Sequence, residues 1–391
     1  MPPCVTIGLE NLKHRFASEL KDRRIGLLAN PASVDFQFCH AVQVIQDLFP
    51  GRLTTLFSPQ HGFYAEKQDN MIESPHGKDP ELGIPIYSLY SHTRIPTTQM
   101  FDNLDTLIVD IQDVGTRVYT FIYTISYCME LAAHTGKSVI ILDRPNPIGG
   151  TRVEGNVLKP ECASFVGRFP IPMRHGMTVG EICRYFNQAF QIGCDLTVVP
   201  MSGWKRSMYW HDTGRTWILP SPNLPTPLSC MVYPGQVIFE GTNISEGRGT
   251  TLPFECFGAP FMDTAAMAPI LNRDVAGASF RPMCFQPTSG KWQGQVCKGF
   301  HIHVTAPDDF EPYTASLLAL QLIIKCHPDD FEFKPPPYEY EYERLPMDLI
   351  LGDAAIRTDL CAMTAIREIK ARWQLELETF IAESQASYLY D

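Results

Sequence analysis

Through the first half of the chain, short apolar runs alternate with stretches of helical spacing. Residues 24–29 read as a strand ended by Asn30-Pro31, and residues 53–57 as a second ended by Ser58-Pro59. Residues 84–89 are a third candidate, and residues 104–111 the clearest, with Leu107, Ile108, Val109 and Ile111 nearly continuous. Continuous apolar strands imply burial on both faces, as in a parallel sheet. Helical spacing is expected over 36–48 and 118–133, the latter stopped by Gly136. Residues 138–142 and 196–199 add two strands. Between them Thr178, with Glu181 three positions on, has the spacing of a reciprocal helix cap. This alternation predicts an α/β fold, a Rossmann-like, doubly wound and mostly parallel sheet.

Residues 220–227 hold four prolines and suit neither a helix nor a central strand. The domain border is placed there, giving a Rossmann-like α/β domain over 1–225 and a smaller α+β domain over 226–391. In the second, strands are expected over 280–285 and 295–304 and helices over 314–325 and 364–384, with Pro335-Pro336-Pro337 as a stiff loop. Ile366, Ile369, Trp373 and Leu377 recur at helical spacing and read as a packing face.

Composition narrows the function. The 391 residues are 45% hydrophobic and 19% charged, enough for a sizeable core. A net charge of −11 disfavours a non-specific nucleic-acid binder, whose affinity rests on cations neutralising phosphates. No apolar run is long enough for a membrane span, and no secretory signal stands at the start. The twelve cysteines are scattered, with no metal or redox spacing, and suit reduced thiols in a cytoplasmic protein.

Polar residues gather at the expected strand ends, where open parallel sheets bind ligands. They are Gln60, His61, Glu66, Lys67 and Asp69 after the second strand, then Asp110, Gln112 and Asp113, then Asp143, Arg144 and Asn146. Arg174-His175-Gly176 forms a separate loop. A second concentration runs from Glu240 through Asn243 and Glu246 to Arg248, with glycines that let backbone approach a ligand. It lacks the lysine of a phosphate loop and the dinucleotide spacing. His301 and His303 share a strand face without a third ligand nearby, so they read as ordinary surface or core histidines. No cofactor or metal is expected.

The longer words resemble one family. Pro59-Gln60-His61-Gly62, Asp110-Ile111-Gln112-Asp113-Val114-Gly115, Leu142-Asp143-Arg144-Pro145-Asn146-Pro147, Arg174-His175-Gly176-Met177-Thr178, Pro220-Ser221-Pro222-Asn223 and the segment from Phe239 to Thr250 are similar to the NamZ-type exo-β-N-acetylmuramidases. The likeness runs from Ile25 to the region of Trp373 and Tyr390. It implies a glycosidase that releases N-acetylmuramic acid from non-reducing ends of peptidoglycan fragments, in a cleft between two domains. The expected partner is a peptidoglycan-derived saccharide or another amino-sugar glycan.

One position departs from the family pattern: Gln60 stands where the family usually carries its acidic Glu. An amide has no proton to give a leaving oxygen. Glu66 or Glu73 in the same loop, or Glu240 or Glu246 from the second domain, then supplies the acid. Otherwise the chain binds a sugar without cleaving it, or is a metal-assisted hydrolase using Asp110, Asp113, His61 and His175. The favoured scheme gives Glu66 or Glu246 the acid role, and Asp110 activates water or stabilises the cationic transition state. His61 is the orienting group. Arg144, Arg174 and Arg248 are candidate partners of the lactyl carboxylate, which an Arg fork fits. Gln60, Asn146, Asn223, Asn243, Glu240 and His175 complete the expected substrate contacts.

Overall fold

The computed structural model describes residues 4–15, 17–63, 75–91 and 93–391. Its main sheet contains β1 (Ile25–Ala29), β2 (Leu53–Ser58), β3 (Gly77–Lys78), β4 (Pro85–Ser88), β5 (Thr106–Asp110), β6 (Ser138–Leu142) and β9 (Asp195–Val199). They lie in the order β3-β4-β2-β1-β5-β6-β9, all parallel except the short β3. β1 and β5 are buried throughout, as their unbroken apolar runs require. The chain winds outward from β1 to β4, then returns to β5 beside β1 and winds the other way. The carboxyl ends of β1 and β5 are therefore the switch point where doubly wound sheets open a crevice.

Two expected helices are shorter than their spacing suggested. Only Ala41–Leu48 of residues 36–48 is helical. Asp35 diverts the start, its Oδ1 accepting from the N–H groups of Gln37 (2.8 Å) and Cys39 (2.9 Å). The helix expected from 118 begins at Phe121 and ends at Thr135. The reciprocal Thr178–Glu181 cap is present on helix Val179–Ala189.

The border expected between 225 and 226 falls at the N-cap of helix Pro227–Gln236, where Thr226 accepts from the Ser229 N–H. Beyond it β10 (Cys256–Ala259), β12 (Cys297–Val304) and β11 (Ala278–Phe285) form an antiparallel sheet in that order. A hairpin-like pair, β7 (Glu154–Val157) and β8 (Pro172–Arg174), projects from the first half. The closing helix Ile366–Ser384 packs on β7, burying Ile369, Trp373, Leu377 and Phe380. One apolar cluster runs from Leu28 and Val109 through Phe257 and Ile323 to Trp373, so the two halves share a core.

Arg117 joins these parts. Its fully buried guanidinium donates to the carbonyls of Asn156 (2.7 Å) and Ile171 (3.2 Å) beside β7 and β8. It also donates to those of Ile350 (3.1 Å) and Leu351 (2.7 Å), the last residues of helix Pro346–Leu351. Burial pulls its pKa down, and the negative end of that helix offsets part of the penalty. Gly352 caps the helix at φ +72°, where a Cβ would lie 2.7 Å from Arg117 Nη2. Arg117→Met leaves four carbonyls without their donor. It is expected to lower the unfolding free energy by about 3–5 kcal/mol, read from urea denaturation midpoints.

Candidate active site

A narrow cleft of about 30 Å³ opens between the two halves. Gln60 and His61 enter it from the end of β2, and Tyr119 and Thr120 from the segment after Arg117. Ser221 and Asn223 come from the proline-rich stretch, and Tyr233, Glu240, Arg248, Tyr338 and Glu339 from the second half. His61 holds a left-handed backbone (φ 76°), uncommon outside glycine.

The Gln60 side chain is fixed at three points. Its Oε1 accepts from Thr120 Oγ1 (2.8 Å), and its Nε2 lies 3.2 Å from both Tyr90 Oη and Glu339 Oε1 as donor. Tyr90 donates in turn to Glu339 Oε2 at 2.5 Å. The carboxyl that position 60 lacks is thus present against it, on Glu339. Burial pushes the Glu339 pKa up to about 7, and the nearby Glu240 adds to the rise. Tyr90 and Gln60 pull the other way by donating to it.

Glu339 sits in a tight turn in which Tyr338 and Glu341 exchange both backbone hydrogen bonds at 2.9 Å. The two central residues, Glu339 (φ 45°) and Tyr340 (φ 68°), are both left-handed. Such turns normally use Asn-Gly, and a non-glycine residue there costs roughly 1–2 kcal/mol. Arg94 lies over the Tyr340 ring at 3.0 Å from its centroid and also faces Tyr90 and Phe165. Its Nε has no hydrogen-bond partner among the described residues.

Glu240 is held differently. Arg248 Nη2 donates to its Oε1 (2.6 Å) and Tyr338 Oη to its Oε2 (2.7 Å). Glu246 lies behind, between Arg248 (3.3 Å) and Lys291 (2.9 Å). Those two cations outweigh its burial and hold its pKa below the ordinary value. Lys291 also donates to the carbonyls of Phe239 (2.6 Å) and Ile244 (3.0 Å), tying the loop.

Of the residues expected from sequence, Gln60, His61, Asn223, Glu240 and Arg248 meet in this cleft. Glu66 and Glu73 lie outside the described residues. Asp110 does not line the cleft; it is fully buried, with both oxygens on Arg144, at 2.5 Å to Nε and 2.8 Å to Nη2. That pair commits both groups to each other, which corrects the expectation that Asp110 faces water and Arg144 a substrate carboxylate. Asn146 spans the Met177 carbonyl (3.0 Å) and the Ile148 N–H (3.1 Å). Arg174 donates to the Ile148 carbonyl, and burial lowers its pKa. His175 is fully buried, its Nδ1 accepting from the Met177 N–H. Asn243 donates to the Asp330 carbonyl at 2.8 Å. These four brace backbone instead of facing the cleft. The acid role expected for Glu246 conflicts with its two cations, which favour the ionised form.

Sequence reasoning missed Glu339, Tyr338, Arg94 and Tyr90. The signal available was weak: an acidic, tyrosine-rich run directly after Pro335-Pro336-Pro337. The His301 and His303 rings lie 4.0 Å apart between centroids, tilted by 47°, and each faces Arg281 at 3.2 Å, and burial lowers the His301 pKa.

The fold and site define a doubly wound α/β protein with a carboxyl-lined, tyrosine-walled ligand cleft. Family comparison sharpens that class. Residues 25–228 match the N-terminal model of the exo-β-N-acetylmuramidase NamZ, and residues 231–390 its C-terminal model. The chain belongs to the NamZ exo-β-N-acetylmuramidase family. It is 42% identical over 388 residues to the peptidoglycan β-N-acetylmuramidase NamZ of Bacillus subtilis (strain 168), covering 99% of this chain and 91% of that protein. Two crystal structures of DUF1343 family proteins from Bacteroides fragilis NCTC 9343 resemble it. One has a TM-score of 0.87 at 33% identity, covering 99% of each chain. The other has 0.77 at 28% identity, covering 100% of this chain and 99% of that one.

Glu339 is expected to titrate near neutrality. A protonated-carboxyl infrared band present at pH 5, lost with a midpoint of about 7 and missing from Glu339→Gln would check this.

Proposed function

We infer that the protein is an exo-β-N-acetylmuramidase, a glycosidase that releases N-acetylmuramic acid from non-reducing ends of peptidoglycan fragments. The observation that carries the catalytic assignment is the Glu339 carboxyl lying 3.2 Å from the Gln60 amide inside the cleft. Glu339, protonated near neutral pH, gives its proton to the glycosidic oxygen as the bond to the anomeric carbon breaks. The bonding pair leaves with that oxygen. Glu240, held against Arg248, is the carboxyl group that faces positive charge developing on the sugar ring. Water then supplies hydroxide to the anomeric carbon, and its proton returns to Glu339. His61 and Asn223 orient hydroxyls from the two rims of the cleft.

Arg94 is the cation for the lactyl carboxylate. Arg248 already serves two carboxylates, whereas Arg94 makes no ion pair among the described residues and stands beside the catalytic turn. The twelve thiols support a reducing, cytoplasmic setting, where wall fragments recovered by the cell are the substrate pool. No described helix is long and apolar enough to cross a membrane. A binding protein without an acid is not favoured, because a carboxyl stands at 339. Neither is a metal-assisted hydrolase: Asp110 is taken by Arg144, and Asp113 accepts from the Gly115 N–H at 2.7 Å.

With a chromogenic β-N-acetylmuramide, Glu339→Gln is expected to lower kcat by about 10²–10⁴-fold. Wild-type turnover should fall as pH rises through about 7, because the acid loses its proton there. If Glu66→Gln abolishes turnover while Glu339→Gln retains it, the acid assignment is wrong. Arg94→Met is expected to raise KM about 10-fold or more for the muramide, and to leave binding of a sugar lacking the lactyl group unchanged.

A further inference from the structure

A second crevice, of about 200 Å³, lies outside the carboxyl ends of the central strands. Ala32 and Val34 follow β1, Gln112 follows β5 and Arg144 follows β6, so the crevice occupies the switch point of the sheet. Trp210 and the segment from Gly214 to Ile218 close its far side. None of the roles assigned above uses it.

Its polar lining is incomplete. Gln112 is 1% exposed, and its Nε2 donates to the carbonyls of Asp113 (2.7 Å) and Pro145 (2.9 Å). That pins the amide, yet its Oε1 has no partner among the described residues. The indole Nε1 of Trp210, a residue 6% exposed, is likewise without one. An acceptor and a donor kept from water without partners each cost roughly 1–3 kcal/mol. A ligand hydroxyl, which both donates and accepts, can satisfy either once a small shift of the lining opens it to the crevice.

Its apolar lining is held out on purpose. Phe36 and Phe38 are 60% and 59% exposed, while most phenylalanines of this chain are buried. The Asp35 turn sets their position, and Phe38 sits at φ 64°, a strained conformation for a bulky residue. The lining cations are already neutralised: Arg144 by Asp110, and Arg215 by Glu10 at 3.0 Å. No phosphate-type or carboxylate ligand is called for. Apolar ring faces beside unsatisfied neutral donors and acceptors match an uncharged sugar.

One chain segment runs from the crevice to the catalytic cleft. Ile218 lines the former and Ser221 the latter. Three residues span at most about 11 Å between Cα atoms, within reach of a short saccharide. We propose that the crevice is a second saccharide subsite, holding an uncharged amino-sugar ring of the same chain whose terminal residue enters the cleft. This rests on the glycosidase reading above.

The test uses the full chain and Phe36→Ala/Phe38→Ala, two exposed positions outside the catalytic machinery, with Gln112→Leu as a second variant. Substrates are the chromogenic muramide and a peptidoglycan-derived tetrasaccharide ending in N-acetylmuramic acid. The double variant is expected to raise KM for the tetrasaccharide about 10-fold, as the loss of two apolar contacts implies, with the muramide unaffected. Equal effects on both substrates, or none on either, overturn the subsite. If the wild type is inert on both, the glycosidase reading fails, and direct titration with N-acetylated chitotetraose decides the subsite separately. Quenching of tryptophan fluorescence that is lost in both variants supports it, and no binding by the wild type overturns it.

Discussion

The structure depends on one buried cation held by backbone. Arg117 reaches four carbonyls on segments far apart in the chain, and no carboxylate hydrogen-bonds it among the described residues. Such a cation tolerates burial only while all its carbonyls stay in place. It therefore fixes the β7–β8 pair and helix Pro346–Leu351 against the segment that carries Tyr119 and Thr120. The cleft is assembled across that junction: Thr120 follows Arg117 by three residues, and the Tyr338–Glu339 turn precedes the helix it holds.

Within the cleft, two carboxyl groups stand in different surroundings. Glu339 is buried among Tyr90, Gln60 and Tyr338, and burial prevails over the donors that reach it. Glu240 has a guanidinium at 2.6 Å. The Gln60 amide contributes as well. It donates to Glu339 without adding a second negative charge, which a carboxylate at position 60 would do.

The strand-end motifs form the floor of this arrangement. Asp143 accepts from the Arg144 and Gly180 N–H groups, the Thr178 hydroxyl and Tyr390, and so ties β6 to the next helix and to the end of the chain. Burial raises its pKa to about 6 against the pull of Tyr390, Gly180 and Thr178. With Asp110–Arg144 beside it, the sheet presents a rigid edge, and loops from two directions build on that edge.

The sheet was legible because its evidence is local. Continuous apolar runs such as residues 107–111, punctuated by Asn30-Pro31 and Ser58-Pro59, specify buried parallel strands whatever surrounds them. The Thr178–Glu181 cap was equally readable, since both partners lie within one turn. The family words also placed Gln60, His61, Asn223, Glu240 and Arg248, which do meet in the cleft. Long-range pairing was not legible. A sequence shows Asp110 and Arg144 as two polar residues at strand ends, and only packing turns them toward each other and not into the cleft. Glu339 was hidden for a related reason. Its turn has none of the usual glycine or asparagine, and its raised pKa comes from burial and from Glu240, which only the fold brings beside it. Local periodicity determines which segments form, whereas the charge state of a buried group depends on neighbours that only the folded chain brings together.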